Sequence, residues 1–267
     1  MMIKRILALY TLVLFALVAC HKVPITGRTQ LNLLPESEMI AISVTNYDTF
    51  LSENPPLPGS NRQAKMIADM GSRIQVAVED YMQSNGLEER IAGFQWEFKL
   101  VEDPTVNAWC MPGGKVVFYT GILDVAGNED AIAAVMGHEI AHAVARHGNE
   151  RMSQALGAQM GLSVLSSAME QNPTLTNQLF MQAAGIGTQV GMLSFSRKHE
   201  SEADRMGLIF MAMAGYDPRE APRFWERMSA SSNGQPPEFL STHPSHERRI
   251  ADLEEHMAEA LEYYTPR

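Results

Sequence analysis

Basic residues are in short supply: 21 Lys and Arg stand against 31 Asp and Glu in 267 residues, a formal charge of −10. That balance argues against a general nucleic-acid binder, whose phosphate-facing surface needs clustered Lys and Arg. Cysteine is scarcer still, with two in the whole chain, which excludes a scaffold built on disulfides. Aromatics make up only 7% while methionines number 18, which implies adaptable packing. The apolar run at 6–19, broken only by Tyr10 and Thr11, falls short of the roughly 20 residues that cross a membrane. What is present is 45% hydrophobic and 19% charged. This excludes a disordered chain and leaves enough for one large domain or two small ones.

Lys4 and Arg5 precede the apolar run, which ends in Leu17-Val18-Ala19-Cys20. A positive start, an apolar stretch of this length and a cysteine at the cleavage point read as a lipoprotein signal peptide over residues 1–19, with Cys20 lipidated. His21 stands where Gram-negative lipoproteins retained at the inner membrane carry Asp, so the resemblance favours the outer membrane, facing the periplasm. Residues 20–35, with Pro24, Gly27, Asn32 and Pro35, read as a lipidated, extended tether, and 36–267 as a single domain. With Cys20 modified, Cys110 is the sole thiol and reads as a packing residue.

Helical spacing predicts helices over 36–51 and 62–84, the second burying Ile67, Met70, Ile74 and Val78. The period then changes. Trp96, Phe98 and Leu100 alternate with charged residues, and two further short runs flank Pro112-Gly113-Gly114 as a strand pair. From residue 120 the pattern is helical. Asn128 caps a helix with Glu129 and Asp130 in its first turn, Gly148 stops it, and Asp217-Pro218-Arg219-Glu220 reads as a capping box. Between 152 and 196 the only charge is Glu170; this segment reads as a buried helical pair, with a mobile lid or membrane-facing surface as the alternative. A charged helix over 245–264 reads as a cover for the core. The fold class is α+β, predominantly helical: a small sheet or hairpin followed by the site helix and further helices.

The chemistry lies at His138-Glu139-Ile140-Ala141-His142. Residues four apart are about 40° apart around a helix, so both imidazoles leave one face and can chelate one Zn2+ per chain. Glu139 stands beside them to take a proton from water. A catalytic zinc site needs a third protein ligand. A metzincin would carry Gly three residues and His six residues after His142; Ala145 and Gly148 stand there instead. His147 lies about 140° around the same helix and cannot join the metal, so it reads as a polar residue near the helix end. The acidic segment 200–204 offers the third ligand: either Glu200 together with Asp204 on one face, or Glu202 alone on another.

Asn107-Ala108, Pro112-Gly113-Gly114, Thr120-Gly121, His138 to His142 with Ala145-Arg146-His147-Gly148, and Glu200-Ser201-Glu202-Ala203-Asp204 together resemble the HtpX and CAAX-prenyl-protease-type gluzincin metallopeptidase family. Within it, the chain is most similar to the soluble bacterial lipoprotein branch of LoiP, BepA and the OMA-type proteases. The resemblance spans about residues 23–255 and implies that 36–267 is a metallopeptidase domain. It implies Glu200 as third ligand and Asp204 as support for a ligating histidine. It also implies a catalytic role for His243, in the pair His243-Pro244, steadying the oxyanion or blocking the metal at rest. Substrate would add as a strand along an edge near 107–110.

The expected function is a zinc-dependent endopeptidase, lipid-anchored in the bacterial envelope. Its expected partners are unfolded or misassembled envelope proteins as substrates, the membrane through the N-terminal lipid, and envelope assembly machinery. The low-charge segment and the methionines carry an alternative, a periplasmic chaperone or outer-membrane assembly factor whose zinc is latent or structural. His21, His199, His246 and His256 read as surface or loop residues.

Overall fold

The computed structural model describes residues 20–160, 195–230, 238–243 and 248–267. The signal-peptide reading of 1–19 lies outside them, as do residues 161–194, most of the low-charge segment.

The chain is α+β and predominantly helical. It opens with an antiparallel hairpin, β1 (Cys20–Lys22) and β2 (Thr29–Leu31). The expected extended tether is thus folded against the body: Val23, Gln30 and Leu34 are buried. Pro24 and Gly27 serve a turn here, closed by Val23 N–H donating to the Arg28 carbonyl at 2.8 Å. Helix α1 (Glu36–Glu53) follows, then α2 (Arg62–Ser84), whose N-cap Asn61 accepts from the amides of Gln63 and Ala64. Ile67, Met70, Ile74 and Val78 all face the core, as their spacing predicts.

A second sheet has three strands. Strands β4 (Ala108–Met111) and β5 (Lys115–Tyr119) form the expected hairpin, turning where Gly113 takes φ 90°. Strand β3 (Glu97–Val101) lies parallel to β5, leaving β4 at an edge among the described residues. Short α3 (Thr120–Ala126) leads to α4 (Glu129–Val144), capped by the Asn128 side chain. Every residue of α4 from Ala131 to Val144 is buried, so this helix is the spine of the core rather than an amphipathic surface element.

The expected helix to Gly148 ends early. Arg146 takes φ 58°, a left-handed conformation unusual for a residue with a side chain, and α5 (His147–Met160) starts in a new direction. Helix α6 (Arg197–Met213) crosses α4 at a glycine pair. A Cβ added to Gly137 would sit 2.6 Å from the Gly207 carbonyl oxygen, and one added to Gly207 would sit 2.7 Å from the His138 nitrogen. Only backbone fits between the two helices. The remaining elements are α7 (Glu220–Ala230), α8 (Glu238–Thr242) and α9 (Arg249–Glu262). The expected capping box before α7 is half formed. Asp217 accepts from the Arg219 amide, but Glu220 turns to Asn128 and Arg227 instead. Among the described residues no helix is long and apolar enough to cross a membrane.

Candidate metal centre

The glycine crossing presses two chemically loaded turns together. From α4 come His138 and His142, from α6 comes Glu200, and from the end of α8 comes His243. All four are buried, and one donor atom from each lies within 4.8 Å of the others. His138 Nε2 is 3.1 Å from His142 Nε2 and 3.2 Å from His243 Nδ1. Glu200 places its oxygens 3.5 Å from His138 Nε2 and 3.4 Å from His142 Nε2. Glu139, also buried, lies with Oε1 3.5 Å from His243 Nε2.

The tautomers follow from the partners. His138 Nδ1 is 2.9 Å from Asp204 Oδ1. A carboxylate accepts, so the proton of neutral His138 sits on Nδ1 and its Nε2 is a bare lone pair. That lone pair faces the Nε2 of His142, the geometry of two donors sharing one cation. Two further observations fit a divalent ion. Glu139 Oε1 has no hydrogen-bond partner although it is buried. The charges also suit a cation: the carboxylates of Glu139, Glu200 and Asp204 outnumber the one buried guanidinium that hydrogen-bonds to them. The guanidinium is Arg249, which donates to Glu200 at 3.1 Å and to Asp204 at 2.6 Å and lies 3.3 Å over the Trp225 ring.

Burial pushes the Glu139 carboxyl up from its ordinary value. Burial opposes the charged form of Glu200 too, but His243, His138 and His142 outweigh it and hold Glu200 well below the carboxylate range. Burial likewise opposes a charged His138, yet Asp204 and Glu200 push it up to about 9, whereas burial keeps His142 well below its ordinary value. A cation bound at Nε2 takes the place of that His138 proton, so metal binding releases acid and weakens as the pH falls.

The structure thus brings together His138, Glu139, His142, Glu200, Asp204 and His243. It corrects the reading of three others. His147 is more than a polar residue near a helix end: it is wholly buried, and the left-handed turn at Arg146 swings it back so that its Nδ1 lies 2.9 Å from His142 Nδ1. Glu202, the alternative third ligand, lies outside the donor cluster: it is buried and accepts from His147 Nε2 at 2.9 Å. His199 is buried against Glu150, at 3.2 Å. Cys110 is buried, as a packing residue should be, and burial pushes its thiol up. Arg249, which follows the His243-Pro244 pair, has no role in the sequence reading; the signal for one was the charge count, because three buried acids exceed what one dication neutralises.

Comparison with known proteins agrees with this geometry. A model of peptidase family M48 matches residues 70–257. The chain belongs to peptidase family M48. Among relatives, it is 38% identical over 172 residues to the mitochondrial metalloendopeptidase OMA1 of Schizosaccharomyces pombe, covering 64% of this chain and 49% of that protein. The OMA1 of Saccharomyces cerevisiae is 32% identical over 269 residues, 94% of this chain and 73% of that protein. The beta-barrel assembly-enhancing protease of Escherichia coli is 35% identical over 169 residues, 59% of this chain and 33% of that protein. This M48 chain therefore spans about half the length of the first of these relatives. The M48 match contains all the buried donors named above.

Proposed function

We propose that this chain is a zinc-dependent endopeptidase that cuts misfolded or misassembled proteins of a bacterial envelope. The observation that carries the reading is the convergence of two imidazole nitrogens and the Glu200 carboxylate, with the unpartnered oxygen of Glu139 beside them. Two imidazoles and a carboxylate are a donor set that suits zinc. His138, His142 and Glu200 would hold the ion. When bound, it supplies Lewis acidity, making water a usable nucleophile near neutrality and polarising a carbonyl. Glu139 takes the proton of the attacking water and returns it to the leaving amine; its raised pKa suits a group that acts first as base and then as acid. Asp204 fixes the His138 tautomer, and Arg249 holds both carboxylates in place.

Substrate would lie extended along the edge strand β4, where backbone hydrogen bonds bind with little demand on sequence. That suits unfolded chains. Lipidation of Cys20 would tether the enzyme to the outer membrane through the first residue of β1. The signal-like segment 1–19 supports this, and the similarity to the beta-barrel assembly-enhancing protease of Escherichia coli supports a role in the envelope.

The test is Glu139→Gln with zinc content and casein cleavage measured together. Zinc content should be unchanged while cleavage falls by about 10²- to 10⁴-fold, the usual worth of a general base. Undiminished cleavage by this variant would refute the mechanism.

A further inference from the structure

His147 and Glu202 lie outside the donor set and have no part in the hydrolysis above, yet both are buried and both are fully engaged. His147 opens α5 just after the left-handed Arg146, and its ring reaches back under His142. The two Nδ1 atoms are 2.9 Å apart, so a single proton lies between them. On its far side, His147 Nε2 is 2.9 Å from Glu202 Oε2. Glu202 is itself fixed. Arg28 Nε donates to the same oxygen at 2.8 Å, and the Thr26 hydroxyl donates to the other. Arg28 also makes a bidentate pair with Glu150, at 2.9 and 2.7 Å. An ionised Glu202 can only accept, so the proton of neutral His147 sits on Nε2 and its Nδ1 is a lone pair. The shared proton then belongs to His142 Nδ1, and the Nε2 of His142 is left bare toward His138.

We propose that His147 is the positioning residue for the metal ligand His142: it fixes the tautomer and ring plane of that imidazole, with Glu202 and Arg28 anchoring it from behind. Asp204 does the same for His138 directly. The two ligands therefore have different supports. A neutral imidazole behind His142 orients the ring without adding a fourth carboxylate to a pocket that already holds Glu139, Glu200 and Asp204. His147 meets the edge of the His142 ring and Phe195 packs over a face of it, with centroids 4.0 Å apart, so the acceptor sets the hydrogen bond and Phe195 sets the tilt. The inference rests on the metal-site reading above.

The experiment uses the purified chain. Zinc affinity is measured by chelator competition, alongside the cobalt absorption spectrum and casein cleavage, in wild type, His147→Leu and His147→Asn. The Leu variant removes the acceptor and should weaken zinc binding by about 10- to 100-fold. The Asn variant keeps an acceptor oxygen near the place of Nδ1 and should recover most of that affinity and the wild-type cobalt spectrum. A second measurement needs no variant: long-range proton–nitrogen spectra of the zinc-loaded wild type should show His147 protonated at Nε2 and His142 at Nδ1. The opposite tautomers overturn the proposal, as does an equal loss in the Leu and Asn variants. Wild-type zinc uptake with an undiminished Leu variant overturns this proposal alone. A wild type that takes up no zinc overturns the metal-site reading and this proposal with it.

Discussion

His243 is the fourth member of the buried donor cluster, with Nδ1 3.2 Å from both His138 Nε2 and Glu200 Oε1. Its ring is stacked on Phe239, with centroids 4.6 Å apart. Of the two roles the resemblance offered, this placement supports the blocking one, because the ring takes a donor position rather than a place beside it. A ring that must leave before a peptide enters lowers the fraction of competent sites. The His243→Ala chain should therefore keep its zinc and cleave casein several-fold faster; a loss of cleavage with zinc retained would assign the ring to the oxyanion instead. The buried donors were legible in part because a four-residue spacing is a local signal: it put His138 with His142, and Glu200 with Asp204, on common faces, while the choice of Glu200 over Glu202 came from the family resemblance. His147 was not, because one left-handed residue undoes any wheel drawn past it. Glu202 was misjudged for a related reason. A wheel shows that it points away from the metal, but not that Arg28, 174 positions earlier, awaits it there.

Among the elements, the α4–α6 crossing decides whether a site exists at all. Gly137 and Gly207 let the backbones touch, and this contact sets how close Glu200 comes to the two imidazoles. A methyl group at Gly207 would meet main-chain atoms at 2.7 and 2.9 Å, and these cannot rotate aside as a side chain would. Gly207→Ala should cost about 2–3 kcal/mol in stability, at the upper end for an overpacked core. It should also loosen zinc binding by prising α6 from α4. Chemical denaturation and chelator competition on the same preparation check both; unchanged affinity would mean that the crossing does not gauge the site. Helices α1 and α2 and the β4–β5 hairpin could be read from periodicity and turn chemistry. The parallel partnership of β3 with β5 could not, since no local pattern says which distant strand a half-buried segment will join.

At the scale of the molecule, the N-terminal hairpin is tied to the core by charge. Arg28 bridges Glu150 on α5 and Glu202 on α6. Burial opposes both carboxylates, but the hydrogen bonds from His199, His147 and Arg28 prevail and lower each to about 2. Such groups stabilise the fold fully above their unfolded value near 4.5, and the stabilisation is lost as the pH falls from there toward about 2. Melting temperatures with chelator present should therefore drop steeply over that interval. Arg28→Gln should be less stable by about 2 kcal/mol at neutral pH, below the usual cost for a fully buried pair because Arg28 is partly exposed, and should show a shallower acid slope. An equally steep slope in the variant would place the acid sensitivity elsewhere. The segment expected to be a mere tether is thus part of the folded body, which the proline and glycine content of 20–35 concealed. The central claim is that His138, His142 and Glu200 hold one ion between them. Anomalous diffraction at the zinc edge from crystals of the zinc-loaded chain tests it most directly. The account predicts one peak, about 2.0–2.2 Å from His138 Nε2, His142 Nε2 and a Glu200 oxygen; a peak that leaves Glu200 uncoordinated, or none at these residues, would contradict it.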